Sequence, residues 1–218
     1  MLALAVAGSA CVAPPPADEY ASLDTQVVAS VRDPRAATVR IRSTTCQGMG
    51  TGSGFLLDAN TIVTNRHVVE GATTIDVETY LGEDLKVDVA SQGTVADLAI
   101  LKITGEIGET AVLAEDDPAV GTIIRAFGYA GGGPMRVTEG RVEAYETDPY
   151  FDTESPVMMA KLEIRPGNSG GPALNEDDEV IGVVYAIELQ TKLAMIVPLS
   201  TLDDLLDDEG LLAPVEPC

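Results

Sequence analysis

The 218 residues contain one histidine, so acid–base chemistry that depends on imidazole must use His67. A lone histidine is ordinarily a structural residue, but the setting of this one argues otherwise. It follows GSGFLLDANTIVTN, a strand-like run ending in Thr64-Asn65 and a short turn that would present it at a sheet edge. Thirty residues on, Asp97 stands in the apolar run VADLAILKI. An unpaired carboxylate is costly to bury there, and an imidazole would supply the missing partner. Ser169 follows in the sequence Gly167-Asn168-Ser169-Gly170-Gly171. A serine hydroxyl is a weak nucleophile until a base accepts its proton and a third group orients that base. His67, Asp97 and Ser169 are the residue types for such acyl-transfer chemistry. The GNSGG run also satisfies a G-x-S-x-G elbow, yet in that arrangement the histidine follows the serine. Here it precedes the serine, which excludes the elbow.

The elements that must position these groups read as short strands. Candidates are Thr38–Arg42, Gly54–Leu57, Thr61–Thr64, Thr74–Tyr80, Leu85–Ala90 and Leu98–Ile103, then Thr122–Phe127, Met135–Tyr145, Val157–Ile164, Val180–Ala186 and Leu193–Val197. Most carry the Val, Ile and Thr enrichment of strands, with turn residues between them. The acidic stretch 105–120, containing Pro118, reads as a connection between two six-stranded halves. Leu199–Leu206 has apolar residues at helical spacing. The expected fold is all-β: two packed six-stranded antiparallel barrels, about 36–104 and 120–198, followed by a C-terminal helix. Gly131–Gly133 before Pro134 suits a tight turn. The glycine-rich GMGTGSG at 48–54 superficially resembles a dinucleotide-binding turn, but two strands follow it where that motif needs a helix.

Composition narrows the function classes. Thirty-five acidic against thirteen basic residues give a net charge of −22, which repels nucleic-acid backbones and anionic bilayers. With one histidine and three scattered cysteines, a zinc site of Cys and His ligands is excluded, and no EF-hand spacing occurs. No cofactor or metal is expected. Residues 1–34 read as a separate segment. The apolar run Met1–Ala10 is too short to span a bilayer and resembles the core of an export signal. Cys11 behind it is either an acylated lipoprotein N-terminus or part of a signal that is simply cleaved, and VAPPPADEY suits an extended tether. The expected location is therefore exported, either anchored to the cell envelope through Cys11 or secreted. In such a compartment Cys46 and Cys218 are expected to form a disulfide, the other reading being free or intermolecular thiols.

The segments TGSGFLLDANTIVTNRHVV, DLAILKI and RPGNSGGPALN together resemble the trypsin-like serine endopeptidases of the bacterial HtrA type and related envelope proteases, over roughly residues 36–203. The order His, Asp, Ser is that of the chymotrypsin-type double barrel. The resemblance implies a protease domain at 35–208, a tail at 209–218, and protein or peptide substrates. It also implies Ser169 as nucleophile, His67 as base, Asp97 as its orienting acid, and the N–H groups of Gly167 and Ser169 as the oxyanion hole. A primary pocket would be lined by Glu163, Ile164, Val184, Tyr185 and Ala186, with Met195 nearby. Glu163 would favour basic side chains at a pocket base. However, Lys161, Glu163 and Arg165 alternate with Leu162 and Ile164, so we expect a solvated strand face and a small or medium apolar preference. The alternative to an active peptidase is a barrel that binds or senses without cleaving. The chain ends soon after the last helix, so no PDZ domain is expected. Asn168 carries no charge with which to anchor a newly cut N-terminal amine, so no zymogen cleavage is expected.

Overall fold

The computed structural model describes residues 33–151 and 155–218; Cys11 and nearly all of the 1–34 segment lie outside them. A short helix α1 (Pro34–Ala37) opens the described chain, capped by the Asp33 carboxylate. The first barrel follows: β1 (Thr38–Thr45), β2 (Gly48–Asp58), β3 (Thr61–Thr64), a one-turn helix α2 (Arg66–Val69), β4 (Ala72–Glu78), β5 (Asp84–Gly93) and β6 (Ala99–Ile103). The ladder runs β5-β4-β1-β2-β3-β6 and closes through β5–β6, so no open edge remains among these six. After β7 (Val112–Leu113), the second barrel comprises β8 (Ile123–Gly128), β9 (Arg136–Thr147), β10 (Pro156–Lys161), β11 (Pro172–Leu174), β12 (Glu179–Ile187) and β13 (Ala194–Pro198). It runs β11-β8-β9-β10-β13-β12 and closes through β11–β12. Two closed six-stranded antiparallel barrels are thus present, with helix α3 (Leu199–Asp207) behind them.

Three apolar clusters hold this arrangement. One fills the first barrel around Ile41, Leu56, Ile62 and Leu101. Another fills the second around Ile124, Val142, Met158, Ile181 and Ile196. The third joins the barrels: Phe55, Val63 and Leu98 of the first meet Phe127, Met159, Leu174 and Met195 of the second. Helix α3 enters this joint cluster through Leu199, Leu202 and Leu205, all buried at helical spacing. Nine residues are too few for a helix to stand alone in water, so this packing is what stabilises it. Burial of each leucine contributes about 1.5–3 kcal/mol.

The differences from sequence expectation concern short elements. β11 has three residues, too few for any alternation to show, and it lies directly behind the glycine-rich turn. The connection expected at 105–120 contains β7, which pairs in parallel with β12. The tail at 209–218 contains a further strand, β14 (Leu212–Pro214), which adds to the edge of β5, and the expected disulfide joins Cys46 to Cys218, with Cα atoms 5.9 Å apart. The expected strand Val157–Ile164 stops pairing at Lys161; Val157–Ala160 are all buried, and inward–outward alternation is seen only beyond them. Leu162 and Ile164 are buried, while Lys161, Glu163 and Arg165 are exposed.

Candidate active site

Asn65 follows β3 in an extended conformation and α2 begins at the next residue, which places His67 on a one-turn helix at the barrel rim. Asp97 precedes β6 and is only 7% exposed. Its carboxylate grips His67 twice. Oδ1 accepts the backbone N–H of His67 at 3.0 Å, and Oδ2 lies 2.5 Å from the ring Nδ1. An ionised carboxylate only accepts, so the bond puts the ring proton on Nδ1 and leaves Nε2 with a free lone pair. The Asp97 carbonyl is held in turn by Asn65 Nδ2 at 2.6 Å. The base and its orienting acid are therefore fixed by backbone as well as side chain.

Ser169 sits on a turn whose geometry follows from its sequence. The Asn168 N–H donates to the Arg165 carbonyl at 2.9 Å, with Pro166 and Gly167 between them. Gly167 has φ +97°. Proline at the second position and a positive-φ glycine at the third are the signature of a type II turn, which sets the direction of the intervening peptide. A Cβ on Gly167 would lie 2.5 Å from the Tyr129 carbonyl oxygen, so only glycine fits. Asn168, Gly170 and Gly171 all donate their N–H groups within the chain. Among the described residues, those of Gly167 and Ser169 donate to nothing in the chain. Two unpaired N–H groups, of Gly167 and of Ser169 itself, thus lie on the turn that carries the serine hydroxyl. That hydroxyl donates to the Tyr185 carbonyl at 3.2 Å.

The turn is seated on the first barrel. Gly170 (φ +84°) approaches so closely that a Cβ there would lie 2.1 Å from the Ser53 carbonyl and 2.3 Å from Thr64 Oγ1. Thr64 ends β3 and Asn65 follows it, so the turn lies against the strand end that leads to the His67–Asp97 pair. Ser53, fully buried on β2, makes the central connection. Its N–H donates to the Ser169 carbonyl at 2.7 Å, its hydroxyl donates to the Gly167 carbonyl at 2.7 Å, and that same oxygen accepts the Tyr129 N–H at 2.9 Å. Thr64 Oγ1 then donates to the Ser53 carbonyl at 2.7 Å. Sequence reasoning missed Ser53 and Asn65. The available signal was GMGTGSG, four glycines around a serine in a strand, a sign of close backbone approach. Asn168, 2% exposed, turns its side-chain oxygen to the Arg165 N–H at 3.1 Å, so local bonds order this loop without a charge.

The expected pocket residues separate. Glu163 is an outward-facing group, with its side chain 72% exposed and bonded to Arg165 at 2.7 Å. Ile164 and Val184 point into the core of the second barrel. Tyr185 is buried beside the barrel joint, and Ala186 is half-buried. Of the five, Tyr185 touches the serine directly, through its carbonyl.

A double barrel whose joint carries a histidine–carboxylate pair beside a serine turn belongs to the chymotrypsin-like class of folds. The profile of the family described as "Trypsin-like peptidase domain" matches residues 52–183. The chain belongs to this family. A "Probable periplasmic serine endoprotease DegP-like" of Halomonas elongata is 35% identical over 162 residues, which are 72% of this chain and 34% of that protein. "Serine protease Rv3671c" of Mycobacterium tuberculosis is 30% identical over 182 residues, covering 80% of this chain and 45% of the relative. The chain thus spans less than half the length of either. The crystal structure of the Rv3671c protease in its active form superposes with a TM-score of 0.72 at 23% identity. That match covers 98% of this chain and 97% of the other.

Proposed function

We propose that this chain is a serine endopeptidase using His67, Asp97 and Ser169 as a triad. His67 Nε2 accepts the Ser169 proton as Oγ attacks the scissile carbonyl, then returns it to the departing amine. Asp97 keeps the proton on Nδ1 and stabilises the imidazolium formed in between. The N–H groups of Gly167 and Ser169 receive the developing oxyanion, each worth about 3 kcal/mol. The observation that carries this reading is the pair of unpartnered N–H groups beside a serine whose turn rests on the strand end leading to the His67–Asp97 pair. Attack requires the Ser169 hydroxyl to leave the Tyr185 carbonyl for His67. At 3.2 Å that bond is long for O–H···O and readily exchanged.

Protein or peptide substrates follow from the family. We place the primary pocket beside Tyr185 and Ala186, with a preference for small or medium apolar side chains, because the Glu163 carboxylate is turned outward to Arg165. The periplasmic description of the H. elongata relative supports an exported envelope protein. Within that setting we read residues 1–34 as an export signal and linker, with Cys11 either the lipid-attachment residue of an anchored protein or part of a signal cleaved from a secreted one. Labelling with a fluorophosphonate probe tests the activity. Wild-type protein reacts at Ser169, whereas Ser169→Ala and His67→Ala do not react or cleave casein. A purified Ser169→Ala protein that still cleaved would end this reading, and wild-type protein inert to the probe would favour a silent binding barrel.

A further inference from the structure

Asp148 is a buried carboxylate with no cation bonded to it among the described residues. It lies just past the end of β9 and is 6% exposed. Its Oδ1 accepts the Tyr150 N–H at 2.8 Å and its Oδ2 accepts the Tyr185 hydroxyl at 2.8 Å. A charge withdrawn from water without a counter-ion is costly, and two neutral donors offset that only in part. An apolar residue would pack there at less cost, so the arrangement calls for a reason beyond stability.

Tyr185 supplies one. The β12–β13 register passes from Val184 opposite Ile196 to Ala186 opposite Met195, leaving Tyr185 as the extra residue of a bulge. Bulges beside active sites re-aim a residue that a regular ladder would turn elsewhere. This bulge lies against the serine turn. Gly170 donates to the Val184 carbonyl at 2.7 Å, Val184 donates to the Gly171 carbonyl at 3.0 Å, and Ser169 Oγ donates to the Tyr185 carbonyl. The main chain of Tyr185 therefore sets where the nucleophile rests, while its side chain is tethered to Asp148.

We propose that Asp148 is a positioning residue for the nucleophile: by holding the Tyr185 hydroxyl it fixes the bulge whose carbonyl defines the resting place of Ser169 Oγ. Burial raises the Tyr185 hydroxyl far above the ordinary tyrosine range, and the Asp148 bond and the nearby Asp97 charge raise it further. The phenol accordingly stays protonated and acts as a donor throughout the working pH range. The effect belongs to the chemical step, since the Tyr185 hydroxyl is turned to buried Asp148 and the residue reaches the serine through its main-chain carbonyl.

The inference rests on the peptidase reading and is tested beside it. Three variants are compared with wild type: Tyr185→Phe, Asp148→Asn and the double variant, each first checked for unchanged circular dichroism. Asp148→Asn strands no charge and keeps one acceptor oxygen, so it serves if Tyr185→Phe loses stability. Tyr185→Phe is expected to lower kcat by about 10²-fold, the cost of a displacement of roughly 1 Å, with KM unchanged. Its rate of inactivation by the fluorophosphonate should fall by the same factor. Asp148→Asn should lose less, and the double variant no more than Tyr185→Phe, because both act through one bond. Folded variants with wild-type kcat, or losses confined to KM, would overturn the role of Asp148 while leaving the peptidase reading intact. Wild-type protein that neither labels nor cleaves would remove both.

Discussion

Ser53→Ala isolates the contact between the barrels that supports the turn carrying Ser169. The substitution removes one oxygen atom and leaves the shape of the fully buried site nearly unchanged. Two groups lose their partner: the Gly167 carbonyl, which accepts from the hydroxyl at 2.7 Å, and the Tyr129 N–H, which donates to it at 2.9 Å. Each buried group left unpaired costs about 1–3 kcal/mol, so the folded state should lose about 2–6 kcal/mol. For a domain of this size, each kcal/mol lowers Tm by about 2–4 °C. The loss should also reach the rate. The Gly167 carbonyl belongs to the Gly167–Asn168 peptide, adjacent to the Pro166–Gly167 peptide whose N–H is proposed to receive the oxyanion, and without the Ser53 hydroxyl Gly167 is freer to turn one peptide against the other. If that donor is misaimed, kcat should fall by about 10²-fold, approaching the loss of an oxyanion donor. The assay is kcat and KM on a chromogenic peptide ester, with Tm from the same preparation. The main-chain bond from Ser53 N–H to the Ser169 carbonyl survives, so substrate binding should change little. A variant with wild-type Tm and kcat would refute the idea that this hydroxyl organises the turn. A fall in Tm with kcat untouched would restrict it to stability.

Other consequences are more direct. Asp97→Asn should lower kcat by about 10⁴-fold by disturbing the His67 tautomer, while Asn65→Ala, which frees the Asp97 carbonyl, should cost less; steady-state kinetics compares them. Replacing Cys46 by Ser removes a bond closing 172 residues, and loop entropy sets the stabilisation at roughly 5 kcal/mol as an upper figure, measured by urea unfolding with and without reductant. The Arg40 hydrogen bond to Glu78 holds that carboxyl below its ordinary 4.5. A depressed pKa contributes stability above the unfolded value and loses it as pH falls through the folded one. The Tm gap between wild type and Glu78→Gln should therefore be open near pH 7 and shrink as pH falls below the ordinary 4.5 and through the lowered folded value. Finally, Asn168 is held by the Arg165 N–H and carbonyl without any ion pair, so protein carrying residues before Tyr20 should cleave as fast as protein trimmed there. A required cut near Ala36, found by N-terminal sequencing, would contradict this.

Sequence alone identified His67, Asp97 and Ser169 as candidates because chain order and local type constrain them: the one histidine, a carboxylate in an apolar run thirty residues later, and a serine in GNSGG further on. It also indicated the double barrel, since Val- and Ile-rich runs separated by turn residues carry period-two burial that survives in any antiparallel sheet. Gly167 entered only through the family resemblance, although the proline before it is half of the local recipe for the type II turn that the structure shows. The tertiary structure alone decided what crosses between barrels. Ser53 lies 114 residues from Gly167, and Asp148 lies 37 from Tyr185, and no periodicity links such pairs. Nor could alternation reveal that Tyr185 lies in a bulge, which depends on the register chosen by β13. The outward turn of Glu163 was only half legible. Its alternation with Leu162 and Ile164 pointed to solvent, but the bond to Arg165 and the end of pairing at Lys161 emerge when the second barrel closes. Local residue type determines which groups can react; the packing of two closed barrels against each other determines which of them meet.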